Sequence, residues 1–175
     1  KKAIDILYDN DSYLIEHQAH ERSITHMLAV HLRSFFLDYD IDCEYDVDIT
    51  NLDGNFTKKK EIEALKFELQ ELKKQIEESP KHSINKNGDV IVPLNFYPDI
   101  IIHKRGTNNS NILIIELKKN TNNNKNSIGF DKLKLKAYTS NKLNYRLGAY
   151  INLSVSDKFD KKKTEIEYYK NGEIN

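Results

Sequence analysis

Asp99, Glu116 and Lys118 are the residues whose types and spacing could do chemistry together. They lie in the run YPDIIIHKRGTNNSNILIIELKK, from Tyr97 to Lys119. Ile100 to His103 and Ile112 to Leu117 are apolar and β-branched, and a Gly/Asn/Ser stretch separates them, so the run reads as two strands of a hairpin. Side chains alternate along a strand, so Glu116 and Lys118 share a face while Leu117 takes the other. Pairing of the strands brings Asp99 beside them. Two carboxylates and an ammonium at the end of an apolar sheet are costly unless neutralised, and a hard divalent cation is suited to that task. The plain alternative is a surface hairpin whose acids and base pair with one another.

Such a set fits phosphodiester hydrolysis. That reaction needs a nucleophilic water near neutral pH and charge stabilisation on the pentavalent phosphate and leaving oxygen. Mg²⁺ or Mn²⁺ supplies much of both, using oxygen ligands and open positions. Asp99 and Glu116 are the obvious ligands. Lys118 suits orientation of the water or stabilisation of developing negative charge. It would serve as a base only with a lowered pKa, which adjacent carboxylates oppose.

Pro98-Asp99 and Glu116-Leu117-Lys118, with sixteen residues between Asp99 and Glu116, resemble the signature of the PD-(D/E)XK nuclease superfamily, the fold of many restriction endonucleases and Holliday junction resolvases. The resemblance implies a restriction-endonuclease-like α/β fold and the Leu117 backbone carbonyl as a further metal ligand. It also implies a glutamate from the first helix near the metal. Glu21 is the candidate, as a catalytic residue and a further metal ligand, and Glu16 is the competing position, beside the alternative of a solvated helix carboxylate. Further segments, Glu21 to His26, Cys43-Glu44-Tyr45 and FDKLKLKAYTS, resemble a set of compact, largely uncharacterised bacterial nuclease-like proteins. In that set the later helix carries a D-x-x-K-L pattern, here Asp131, Lys134 and Leu135, with Tyr138 one turn on. Lys134 is then a candidate nucleic-acid contact, beside the alternative of one more solvated lysine. Lys104, Arg105 and Lys119 are further candidate contacts, and His103 is expected to be solvated or to touch phosphate. The resemblance implies a DNA endonuclease of bacterial or phage defence or DNA processing. An RNase with the same site, or a non-catalytic scaffold of the same fold, remains open.

The elements that must position these residues follow from periodicity. Ile15, Ala19, Ile24, Leu28, Leu32 and Phe35 or Phe36 have helical spacing and predict one long helix from about Ser12 to Asp38, with Asp11 or Ser12 as N-cap. Ile41 to Ile49 alternates as a strand, and Asp53-Gly54 marks a turn. Val90 to Leu94 reads as a short strand, and residues 120–127 as a polar, Asn-rich loop. Phe130 to Leu143 predicts a helix, Tyr145 to Val155 and Thr164 to Tyr169 strands, and Asn171-Gly172 a late turn. The order suits a central mixed sheet flanked by helices, in a single domain spanning residues 1–175.

Lys58 to Ser79, within an insertion of about residues 57–80, is a separate object. Ile62, Leu65, Leu69, Leu72 and Ile76 keep heptad spacing, with Glu63/Lys66 and Glu71/Lys74 as flanking pairs. It reads either as a helix on its own sheet or as a seam for a second copy or a protein partner.

Composition bounds the rest. The single Cys43 excludes an intramolecular disulfide and a multi-cysteine zinc site. His17, His20, His26 and His31 share a helix without H-E-x-x-H spacing, and there is no phosphate-binding glycine loop or dinucleotide fingerprint. No run of eighteen apolar residues predicts a membrane span, and no signal peptide is visible, so a cytoplasmic protein is expected. Net charge is zero, yet residues 1–99 carry 12 Lys/Arg against 20 Asp/Glu and residues 100–175 carry 15 against 7. That polarity could set a basic face for phosphates beside an acidic pocket for metal.

Overall fold

The computed structural model describes residues 1–45, 48–49, 56–57, 83–84, 90–91, 97–140, 143–156 and 158–175. The heptad-patterned segment 58–79, the Asp53-Gly54 turn and residues 92–94 lie outside the described residues. The elements are α1 (Lys2–Asn10), α2 (Ser12–Glu16), α3 (Glu21–Leu32), β1 (Asp40–Cys43), β2 (Asp48–Ile49), β3 (Phe56–Thr57), β4 (Ser83–Ile84), β5 (Val90–Ile91), β6 (Ile100–His103), β7 (Leu113–Lys119), α4 (Lys125–Thr139), β8 (Leu147–Leu153), β9 (Glu165–Lys170) and β10 (Glu173–Ile174). Six strands form one mixed sheet in the order β1-β6-β7-β8-β9-β10. Within it β7 and β8 are parallel and joined through α4, while every other pair is antiparallel.

Both faces of the sheet are covered, which is why the β6 sequence is a continuous apolar run rather than an alternating one. Ile100, Ile102, Ile115 and Leu117 pack beneath α1, α2 and α3 with Leu7, Ile15, Ile24 and Leu28. Ile101, Ile114 and Tyr150 pack on the other face with Leu135 and Tyr138 of α4. Gly148 on β8 sets the closeness of α4. A Cβ there would lie 3.1 Å from Thr139 Cγ2 and from Tyr169 Cβ and 3.3 Å from Leu135 Cδ2, so these neighbours would have to give by a few tenths of an ångström.

The helix expected from Ser12 to Asp38 is broken. α2 ends in a Schellman arrangement: Ala19 N–H donates to Leu14 O at 2.9 Å and Gln18 N–H to Ile15 O at 3.2 Å. Gln18 takes the left-handed position, with φ +50°, usually given to glycine. His20 then caps α3, its ring nitrogen accepting from Arg22 N at 3.2 Å. Glu21 thereby becomes the first residue of a new helix. α1 precedes all of this and is not marked by the periodicity read above.

Two further boundaries move. The strand expected from Ile41 to Ile49 stops at Cys43, because Glu44 has φ +50° and its N–H turns to Pro98 O at 3.0 Å. Asp48–Ile49 pairs with Phe56–Thr57 in a separate small sheet, and Val90–Ile91 pairs with Ser83–Ile84 in another. The later helix starts five residues before the expected Phe130, because Asn124 Oδ1 accepts from Ser127 N at 3.2 Å as an N-cap. Asn171 and Gly172, at φ +54° and +82°, make the turn expected between β9 and β10.

Candidate functional site

The β6–β7 register pairs Ile100 with Ile115, which sets Asp99 beside Glu116 at one end of the sheet. Asp99 Oδ2 accepts from Leu117 N at 2.7 Å, a bond that fixes its side chain against β7. Glu116 and Lys118 point to the α4 side. Glu116, only 1% exposed, forms the floor, and its Oε2 accepts from Lys134 Nζ at 2.7 Å. Lys134 also pairs with Asp131 Oδ1 at 2.8 Å, the two being three residues apart on α4. Lys118 Nζ donates to Glu21 Oε1 at 2.8 Å and lies 3.1 Å from Asp131 Oδ2. Its contact with the Leu117 carbonyl is longer, at 3.4 Å. Burial eases from Glu116 through Lys118 to Glu21, whose side chain is 25% exposed, so the cluster opens toward α3.

Asp99, Glu116, Lys118 and Glu21 therefore meet, as expected. Glu21 rather than Glu16 is the helix glutamate in contact; Glu16 is exposed to solvent. Asp131 is the participant that the sequence reading left out of the site. The signal for it was its i,i+3 spacing to Lys134. Tyr150, opposite Glu116 in the β7–β8 register, was also missed.

The basic candidates are arranged differently from expectation. Lys134 is no solvated helix lysine: it is 7% exposed and held by two carboxylates. Lys119 Nζ donates to Gln18 O and Ala19 O, at 3.1 and 3.2 Å, and so fastens the α2–α3 break to β7. Lys104 and Arg105 follow β6 at the sheet end opposite Asp99. Lys104 lies over the Tyr39 ring, and Arg105 pairs with Asp42. His103 is not solvated but buried, with its Nε2 2.9 Å from Asp42 Oδ2. These three residues are thus removed from the Asp99 cluster.

Electrostatics separate the acids of the site from ordinary surface carboxylates. Burial pushes the Asp99 carboxyl up to about 6, against the Leu117 N–H and the two lysines, which pull it down. Burial raises Glu116 as well, with Lys134 opposing and Asp99 and Asp131 adding. Burial lowers Lys118, but Asp131, Glu21 and Asp99 outweigh it and hold the ammonium above its ordinary range. Lys134 is likewise raised despite its burial, by Glu116 and Asp131. Both lysines are therefore cations here, which suits charge stabilisation and not proton abstraction. Burial holds the Tyr150 phenol up at about 12.

Four carboxylates face two ammonium groups, an excess of two negative charges when all are ionised. Only three buried side-chain oxygens among the described residues lack a hydrogen bond, and two of them are Glu116 Oε1 and Asp131 Oδ2. The second has Lys118 nearby, but outside hydrogen-bond geometry. The donor set is all oxygen, the preference of Mg²⁺ and Mn²⁺. No three His, Cys, Asp or Glu side chains among the described residues form a ready metal cage. The fit is to a cation that takes one or two carboxylates and keeps several waters, as Mg²⁺ commonly does.

No family model, no curated protein and no solved structure matches this chain. Among the described residues no helix is long and apolar enough to cross a membrane.

Proposed function

We propose that this chain is a metal-dependent phosphodiesterase of the PD-(D/E)XK type, an endodeoxyribonuclease that works with Mg²⁺ or Mn²⁺. The observation that carries the proposal is the meeting of Asp99, Glu116, Lys118 and Glu21 at one sheet end, with Glu116 Oε1 left without a hydrogen bond. The order α3, β1, β6, β7, α4, β8, with β7 and β8 parallel, supports a restriction-endonuclease-like reading of the fold.

Asp99, Glu116 and the Leu117 carbonyl would hold the cation. When bound, it would supply a nucleophilic water and charge stabilisation at the phosphate. The chain's own groups do the remainder. Lys118, kept protonated by its carboxylate neighbours, stabilises negative charge on the phosphoryl oxygens or orients the water. Glu21 holds the Lys118 ammonium at the mouth of the cluster. Leu117 N–H holds the Asp99 carboxylate against β7 through Oδ2.

The test is incubation with single-stranded and duplex DNA and with RNA, with Mg²⁺, Mn²⁺ or EDTA, beside Asp99→Ala. DNA cleavage that needs the cation and Asp99 is the expected result. Full cleavage in EDTA would remove the proposal. Cleavage confined to RNA would move the substrate to the RNase alternative.

One observation favours a second reading, a non-catalytic scaffold of the same fold. Lys134 already pairs with Glu116, so the network can hold without a divalent cation. That reading would rest on the heptad-patterned segment as its working surface. Described residues that precede and follow that segment meet beside Asp99, where Glu44 N–H bonds Pro98 O at 3.0 Å. Leu65→Glu with Leu72→Glu should change the sedimenting mass or break a complex while leaving the melting temperature nearly unchanged. A lower melting temperature with the same mass would make the stripe ordinary core.

A further inference from the structure

We propose that Lys134 is a built-in competitor for the divalent cation: its ammonium holds Glu116 while no such cation is bound, and withdraws onto Asp131 when one binds. This rests on the reading of Glu116 as a cation ligand.

The geometry is specific to a shared carboxylate. Lys134 Nζ stands 2.7 Å from Glu116 Oε2 and 2.8 Å from Asp131 Oδ1. Asp131 lies one helical turn before Lys134 on the same helix, so the ammonium can leave Glu116 without losing Asp131. Glu116 belongs to the sheet and is 1% exposed, so it has no comparable freedom to follow. Its Oε1 is buried and has no hydrogen bond, so the lone pairs of that oxygen are used by no protein group. A divalent cation on that oxygen would face the Lys134 ammonium across a single carboxylate in a water-poor setting. Like charges at such a distance repel strongly where the dielectric is low. One of the two must yield, and the flexible lysine stem is the part that can move.

The arrangement serves both states. Without a divalent cation, Lys134 neutralises a buried carboxylate whose exposure to an apolar surround would otherwise be costly. With one bound, Lys134 and Lys118 both lean on Asp131, on its Oδ1 and Oδ2 sides respectively. Glu21 stays on Lys118, so the two ammonium groups then face Glu21 and Asp131 while the cation faces Asp99 and Glu116, and the cluster's excess of two negative charges is cancelled.

Calorimetry with Mn²⁺ on the wild-type chain and on Lys134→Gln tests this directly. Glutamine keeps a donor for Glu116 and removes the charge. The expected result is Mn²⁺ affinity about tenfold tighter or more, which corresponds to ~1.4 kcal/mol. The same variant should melt lower than wild type in EDTA and recover most of that deficit in saturating Mn²⁺. Lys134→Arg, which keeps the charge, should bind no more tightly than wild type. Unchanged or weaker affinity in Lys134→Gln, with wild type binding normally, would overturn the proposal and leave the metal reading intact. No binding to wild type would remove the metal reading and this one together. Should Lys134→Gln fail to fold, the wild-type chain still decides the matter. The Lys134 ammonium signal in a ¹H–¹⁵N spectrum should shift on Mg²⁺ saturation, and a signal that stays fixed overturns the proposal.

Discussion

At the His103 end of β6, Asp42 accepts from His103 Nε2 and from Arg105 Nε, each at 2.9 Å, and also from Arg105 Nη2. Asp40 next to it takes the Arg105 backbone N–H at 2.9 Å. Burial pushes Asp42 up, but the Arg105 and His103 hydrogen bonds outweigh it and hold the carboxyl below its ordinary value. At the Asp99 end the same strand meets carboxylates that outnumber their cations, with Asp99 and Glu116 raised and Glu116 Oε1 without a donor. Both clusters join charge to charge across strands. In the first, both oxygens of Asp42 have donors, and the cluster fastens β1 to the hairpin. The second keeps acceptor capacity at Glu116 Oε1 that no protein group uses, and the proposed cation would take it up.

Exchanging one acid for its amide at each end should expose the difference most strongly. Glu116→Gln should lower metal-dependent cleavage by about three orders of magnitude or more, since the cation supplies several kcal/mol of transition-state stabilisation. Asp42→Asn should cost roughly 1–3 kcal/mol of folding stability through the unpaired Arg105 and His103 groups, and leave kcat within a few-fold. Denaturant melts and cleavage rates on both variants decide it. Loss of activity with Asp42→Asn in a folded chain would show that the two ends are not independent.

Lys118 comes next in size. Lys118→Ala should lower kcat by about two to three orders of magnitude, as removal of one charge-stabilising donor does. Mn²⁺ affinity should be retained, since the cation ligands stay in place and one positive charge leaves. Calorimetry beside single-turnover rates separates the two roles. Metal binding lost as fully as in Asp99→Ala would make Lys118 a structural brace.

What could be read from the chain and what could not divides along the range of the interactions. The β6–β7 hairpin was legible because Ile100 to Ile102 and Ile112 to Leu117 are apolar runs between turn residues, and its register carried Asp99 to Glu116 and Lys118. Glu21 was a candidate through the family resemblance, although the helix behind it is broken. The break itself was hidden, because Gln18 holds a left-handed conformation that sequence rules assign to glycine. The start of α4 was hidden within an asparagine-rich stretch where Asn124 alone is the cap. The partners of Lys134 depend on the approach of α4 over Gly148, and those of Arg105 and His103 on strand pairing some sixty residues distant. No local pattern encodes these. The heptad stripe of 58–79 remains a sequence reading.

Glu21 should show a smaller effect than Lys118, because it acts through that lysine. Glu21→Gln should lower cleavage by about one to two orders of magnitude, the usual range for a group that orients a functional partner. Glu16→Gln, exposed and one break earlier in the chain, should stay within two-fold. In a chain that already carries Lys118→Ala, Glu21→Gln should have no further effect, and a double-mutant cycle measures that coupling. Additive losses would show that Glu21 reaches the reaction by another route.

The smallest effect is a difference in pH dependence between the two ends, read in EDTA as melting temperature. Asp99 has a folded-state pKa of about 6, above its ordinary value of 3.8. Its protonated form is the one the fold favours, so its contribution to stability is complete at pH below the ordinary value and is lost as pH rises through about 6. Asp42 is shifted the other way. Its contribution is present above the ordinary carboxylate value and is lost as pH falls through its lower folded value. Asp99→Asn keeps an oxygen for Leu117 N–H and cannot ionise. The margin of wild type over Asp99→Asn should therefore shrink between about pH 4 and pH 7, while the margin over Asp42→Asn should shrink only below about pH 4. Mn²⁺ should restore wild type above about pH 6 and leave Asp99→Asn little changed, because the cation needs the carboxylate that the proton otherwise holds. Parallel curves for the two variants would mean that both clusters are plain ion pairs, and the contrast between the ends of β6 would fail.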